Sequence, residues 1–144
     1  MDQLLKENNT KGKSNKQNDF TMYIIINKDL SMGKGKIASQ TGHAVHIMVH
    51  NILTNKNGDE LAKLNFVKYT KWNNKGSKTI VLNVPFDKMK EMLANEKYTN
   101  KCVYVCDAGR TQVEPGSVTA IGFYPADDLM EDMKEFKLLW ALFL

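Results

Sequence analysis

The sequence predicts a single α/β domain of three layers, a mixed four-stranded sheet with helices on both faces. Three observations predict it. Four apolar runs of strand length, rich in β-branched residues, begin at Met22, Thr79, Cys102 and Ser117. Segments with helical spacing of apolar residues separate most of them, giving the order βααβαββα. Two of the runs also end at short turns that carry glycine and charge, which is where open α/β sheets gather ligands.

Residues 1–20 are rich in Lys, Asn and Gln and are expected to be a disordered polar tail, leaving 21–144 as the folded domain. Met22-Tyr23-Ile24-Ile25-Ile26 reads as a buried first strand. A turn follows, Ser31-Met32-Gly33-Lys34-Gly35-Lys36, and then a helix from about Lys36 to Thr54. Asn57-Gly58-Asp59 is a turn. The next helix, Glu60 to about Tyr69, is expected to bury Leu61, Leu64 and either Phe66 or Val67, with Trp72 anchoring the loop after it. The run Thr79–Val84 is apolar enough for a strand covered on both faces, and Pro85 ends it. Phe86, Met89, Met92 and Leu93 then form one helical stripe. Cys102–Cys106 is the third strand and about Ser117–Tyr124 the fourth. Asp127 and Asp128 open a last helix over about 127–135. The apolar ending Leu138–Leu144 is expected to be buried or to meet a partner.

A chain of 144 residues can hold one real core, and its 42% hydrophobic and 25% charged residues suit a globular protein. No stretch reaches the roughly 20 apolar residues of a membrane span, and the first residues lack the apolar core of a signal peptide. A net charge of +4 is compatible with an RNA partner. Cys102 and Cys106 stand four apart on one strand, about 13 Å, too far for a disulfide, so free thiols in a reducing compartment are expected.

Candidate chemistry concentrates in two stretches. The turn before the first long helix combines free backbone N–H groups, a helix dipole and two ammonium groups, a setting for a phosphate or a developing negative charge. It is no nucleotide-binding P-loop, because Ile37 stands where Ser or Thr is required. Lys34, Lys36, Gln40 and His43 belong to this stretch. The second stretch follows the third strand and supplies Asp107, Arg110, Thr111, Gln112 and Thr119. The two would meet at one sheet edge if the first and third strands were neighbours. Plainer roles exist for each: Asp107 as a turn cap, His43 as an interior histidine, Arg110 as a surface charge. His43, His46 and His50 share an arc of about 60° on the helix, but no carboxylate or thiol there completes a metal shell.

Both stretches carry a resemblance. Met32-Gly33-Lys34-Gly35-Lys36-Ile37-Ala38-Ser39-Gln40-Thr41-Gly42-His43-Ala44 resembles one signature of the type 2 peptidyl-tRNA hydrolases. Asp107-Ala108-Gly109-Arg110-Thr111-Gln112-Val113-Glu114-Pro115-Gly116-Ser117-Val118-Thr119 resembles the second. Trp72, Gly76, Ile121-Gly122 and Phe136-Lys137-Leu138-Leu139 extend the likeness over about Met22 to Leu139. The resemblance implies a cytoplasmic hydrolase that cleaves the ester between a peptide and the 3′ end of tRNA, recycling tRNA from stalled translation. It further implies a homodimer with no cofactor or metal; no membrane partner is expected, since no stretch is long and apolar enough to span one. It places Lys36, Asp107, Thr111, Thr119 and His43 in catalysis, and Lys34, Gln40, Arg110 and Gln112 in substrate binding. Asp107 and His43 both remain candidates for the general base. A non-enzymatic RNA-binding module on the same fold, and a phosphate-ligand enzyme using the Gly-Lys turn, are the competing functions. Some eukaryotic members carry a membrane anchor that this tail lacks, and Trp140–Leu144 runs past the usual ending.

Overall fold

The computed structural model describes residues 19–108 and 116–142, with side chains described as far as Leu139 at the C-terminal end. The first strand, β1 (Met22–Asn27), is buried at every position. Helices α1 (Lys34–Thr54) and α2 (Glu60–Asn74) follow, then β2 (Thr79–Val84), α3 (Phe86–Ala94), β3 (Cys102–Cys106) and β4 (Val118–Phe123). A four-residue helix α4 (Met130–Met133) and a strand β5 (Lys137–Leu142) complete the described chain.

The sheet has five strands in the order β3-β4-β1-β2-β5, not the four expected. The segment expected to be a buried end or a partner contact is the additional strand. It pairs antiparallel with β2, with a register shift between Val81 and Leu82, and leaves Leu138 and Leu139 exposed. Backbone pairing along an open edge holds it there. The expected helix over 127–135 shrinks to α4 for the same reason, since the chain must turn back before Lys137. The sheet is mixed as predicted: β1 and β2 run parallel, and the other pairs are antiparallel. The first and third strands are not neighbours, because β4 lies between them.

Alternate residues of β1 enter two different core clusters, as the two-residue period of a strand requires. Met22, Ile24 and Ile26 join Ala44 and Met48 of α1 and Trp72 of α2. Tyr23 and Ile25 join Met89 and Met92 of α3 and Met133 of α4. Trp72 lies within α2, whose last turns extend beyond the expected Tyr69, and its indole N–H donates to the Lys78 carbonyl at 2.8 Å. Leu61 and Leu64 are exposed, contrary to expectation, and of the two alternatives Phe66 is half-buried and Val67 exposed; Trp72 is the one buried residue of α2, so that helix leans on the core by its C-terminal end.

The helix α1 comes close to the sheet at Gly122. A Cβ there would lie 2.6 Å from the Met48 methyl carbon and 3.3 Å from the Ala44 Cβ. Glycine at this point lets α1 cross β4 with its N-terminus at the ends of β3 and β4 that hold Asp107 and Thr119.

Candidate active site

The N-terminus of α1 breaks the usual rules for starting a helix. Its cap residue is Gly33, with an extended backbone and no side chain to accept from the first N–H groups. No acidic residue stands in the first turn, while Lys34 and Lys36 do. Cations are unfavourable at the positive end of a helix dipole. The compensating negative charge comes from elsewhere in the chain: the Lys36 Nζ is in ion-pair contact with the Asp107 Oδ2. The Asp107 side chain is 3% exposed and that of Lys36 13%, so the pair is largely withdrawn from water.

Asp107 is fixed by its backbone as well. Its N–H donates to the Ser117 carbonyl at 2.9 Å, and its own carbonyl accepts from the Gly116 N–H at 2.7 Å. Gly116 has φ +80, a backbone that favours glycine. These bonds link the end of β3 to the start of β4 and aim the carboxylate at α1.

One turn into the helix, a second contact joins the same elements. The Thr119 hydroxyl lies 2.6 Å from Gln40 Oε1 and 3.2 Å from the Val105 carbonyl, and it is buried completely. It has one proton to donate, and the shorter contact takes it. Gln40 is 3% exposed, so its amide is turned into the protein.

The structure thus brings Lys36 to Asp107 and Gln40 to Thr119. Lys34 and His43 are exposed on α1, outside these buried contacts. His46 and His50 are exposed too, with their rings stacked at 6.0 Å. Among the described residues no cluster of three or more His, Cys, Asp or Glu is placed to hold a metal ion. Arg110, Thr111 and Gln112 lie outside the described residues. Cys102 is half-buried, and burial pushes its thiol above the ordinary range, which keeps it protonated and a poor nucleophile.

Sequence reasoning passed over Asn27. It is buried at the end of β1, where its Nδ2 donates to the Val118 carbonyl at 2.9 Å and its Oδ1 accepts from the Asp29 N–H at 3.0 Å. It pins the backbone next to Thr119. The available signal was a lone carboxamide closing the otherwise apolar run Met22–Ile26.

Comparison with known proteins bears on this geometry. Residues 20–139 match the family model described as Peptidyl-tRNA hydrolase PTH2. A peptidyl-tRNA hydrolase of Methanococcus maripaludis strain C7 is 38% identical over 127 residues, covering 83% of this chain and 99% of its own. One from Sulfurisphaera tokodaii is 37% identical over 120 residues, covering 78% and 95%. One from Saccharolobus solfataricus is 32% identical over 115 residues, covering 77% and 90%.

Proposed function

The chain belongs to the Peptidyl-tRNA hydrolase PTH2 family, and we propose that the Lys36–Asp107 pair is the centre at which it cleaves the ester between a peptide and the 3′ end of tRNA. One observation carries this assignment: a buried ion pair joins the two signature stretches at a helix N-terminus whose cap residue is a glycine.

Hydrolysis needs a water deprotonated and an oxyanion held. In the resting pair the Lys36 ammonium occupies the Asp107 carboxylate. When the ester carbonyl enters, Lys36 turns its charge to the oxygen that becomes negative, and the carboxylate is released to face a water. Asp107 then takes a proton from water, and the hydroxide oxygen bonds to the carbonyl carbon. Collapse of the tetrahedral intermediate breaks the bond to the ribose oxygen, which leaves with the proton from Asp107. The products are the peptide acid and free tRNA. Thr119, held by Gln40, fixes one wall of this space. Lys34, exposed at the helix start, meets a phosphate of the terminal nucleotides. Arg110, Thr111 and Gln112 complete the site in this reading, on the strength of the signature they belong to. Exposed His43 is the rival base; the buried position of Asp107 against Lys36 favours the carboxylate.

The rest of the reading is coarser. Residues 21–144 form the hydrolase unit and 1–20 a tail, working as a homodimer in the cytoplasm. The three-layer description is supported by the two core clusters that alternate β1 residues enter. Among the described residues no helix is long and apolar enough to cross a membrane.

The test is release of tRNA from a peptidyl-tRNA in the presence of a chelator. Asp107→Asn lowers kcat by about 10²–10⁴-fold, the usual worth of general-base catalysis, while His43→Asn leaves most of it. Wild-type turnover by Asp107→Asn would transfer the base role to His43. Binding of tRNA without turnover by the wild type would favour the binding module.

A further inference from the structure

A second hollow lies at the other end of α1. A cleft of about 550 Å³ opens between the last turns of α1, the first turns of α2 and the start of β3. Asn51 on its wall lies 15 residues beyond Lys36, about 22 Å along the helix axis, so the cleft is separate from the ion pair. Its polar wall is made of carboxamides, from Asn51, Asn55, Asn65 and Asn100, with the phenol of Tyr124. Ile52, Leu61 and Val103 supply apolar wall.

The hydrogen bonds leave this wall with capacity. The Asn51 Nδ2 donates to the Tyr124 hydroxyl at 3.1 Å, and the Asn55 Nδ2 donates to the Asn51 backbone carbonyl at 2.8 Å. Each keeps its amide oxygen as an acceptor. The carboxamide of Asn65, half-buried on α2, has no hydrogen-bond partner among the described residues. Asp59 also lines the cleft, but its carboxylate accepts from the Ala62 N–H at 2.9 Å as the cap of α2. Among the described residues no lysine or arginine lines the cleft. An adjoining hollow shares Asn65 and Tyr124 with it and adds Lys68 and Lys101, two ammonium groups against the one carboxylate of Asp128.

Donor and acceptor side by side on a carboxamide match the edge of a nucleobase, an apolar wall suits its face, and ammonium groups suit its phosphate. We infer that this cleft binds a nucleotide, the base among the asparagines and the phosphate on Lys68 and Lys101. Its bearer is the tRNA body, an inference that rests on the hydrolase reading. Between the two sites α1 contains no acidic residue in 21 positions and exposes His43, His46 and His50, a path without repulsion for a polyanion.

Two readouts separate this inference from the reading it rests on. The first needs no catalysis: the full-length ¹⁵N-labelled protein is titrated with AMP and with CMP while the side-chain amide signals of Asn51 and Asn65 are followed. Saturable shifts at both amides are expected in the wild type, and in Asn65→Leu the Asn51 amide no longer shifts. The second compares peptidyl-tRNA with a short peptidyl ester of the CCA trinucleotide, using Asn65→Leu combined with Lys101→Gln. KM for peptidyl-tRNA rises about tenfold with kcat unchanged, and the short ester is unaffected, as for contacts made equally in ground and transition states. Shifts with AMP or CMP but an unchanged KM for peptidyl-tRNA assign the cleft to a free nucleotide. Absence of both effects overturns the inference, as does a KM change that grows with peptide length and so marks a peptide as occupant. If the wild type neither binds nor hydrolyses tRNA, the hydrolase reading fails, and the mononucleotide titration still decides the cleft.

Discussion

The two long helices begin in opposite ways. Helix α2 starts as an isolated helix would: Asp59 accepts from the Ala62 N–H at 2.9 Å, and Glu60 stands in the first turn. Helix α1 starts with a glycine cap and two lysines, and no acid in the turn. The α2 start is satisfied by its own residues. At the α1 start the balancing charge is Asp107, distant in sequence, which arrives from the end of β3. A helix end that breaks local rules, and is balanced by a distant carboxylate, has positive potential to offer a substrate. The α2 end has already used its own.

This contrast can be broken from either side. The largest effect on folding is expected from Lys36→Met, which leaves the Asp107 carboxylate buried without its ammonium. It should cost about 3 kcal/mol, the low end for breaking a buried pair, read as a lower urea midpoint. Combining it with Asp107→Asn should recover part of that loss without restoring hydrolysis. Full stability in Lys36→Met alone would show that the pair does not balance the helix end. Next comes Gly122→Ala, which pushes the Met48 methyl aside and crowds Ala44. Overpacking here should cost about 1–2 kcal/mol and lower kcat together with stability, since α1 carries Lys36 and Gln40. Asp59→Ala should cost about 1 kcal/mol in thermal or urea unfolding through loss of the cap. The smallest effect sharpens the contrast: Gly33→Asp gives α1 a proper cap and should gain a few tenths of a kcal/mol. It should also raise KM for peptidyl-tRNA, because the new carboxylate repels the phosphates Lys34 is placed to meet. A gain in stability with no change in KM would separate the helix end from substrate binding.

Local signals marked most of the fold and part of the site. The strands from Met22, Thr79 and Cys102 are found within their expected bounds, because their apolar runs are interrupted by turns and by Pro85. Strand β5 was not legible, since an apolar run at an open sheet edge has the composition of a buried segment. Nor was the exposure of Leu61 and Leu64, because spacing tells which residues share a face but not whether anything covers it. The meeting of Lys36 with Asp107 was expected, but on the wrong grounds. Strand order is a long-range property; with β4 between β1 and β3, it is α1 crossing β4 that brings the lysine to the carboxylate. Gln40 and Thr119 were visible as signature residues, whereas their hydrogen bond to each other required the fold.

The tight approach of α1 to β4 has a consequence in time. The helix is fastened to one strand at two places, by the Gln40–Thr119 hydrogen bond and by the packing of Met48 and Ala44 over Gly122. Two attachments on a central strand leave the helix no rotation or slide that keeps both. The wall of the site carrying Lys36 therefore moves only when the core itself opens, far more slowly than a surface loop rearranges. Successive substrates meet a wall that is already set when they arrive.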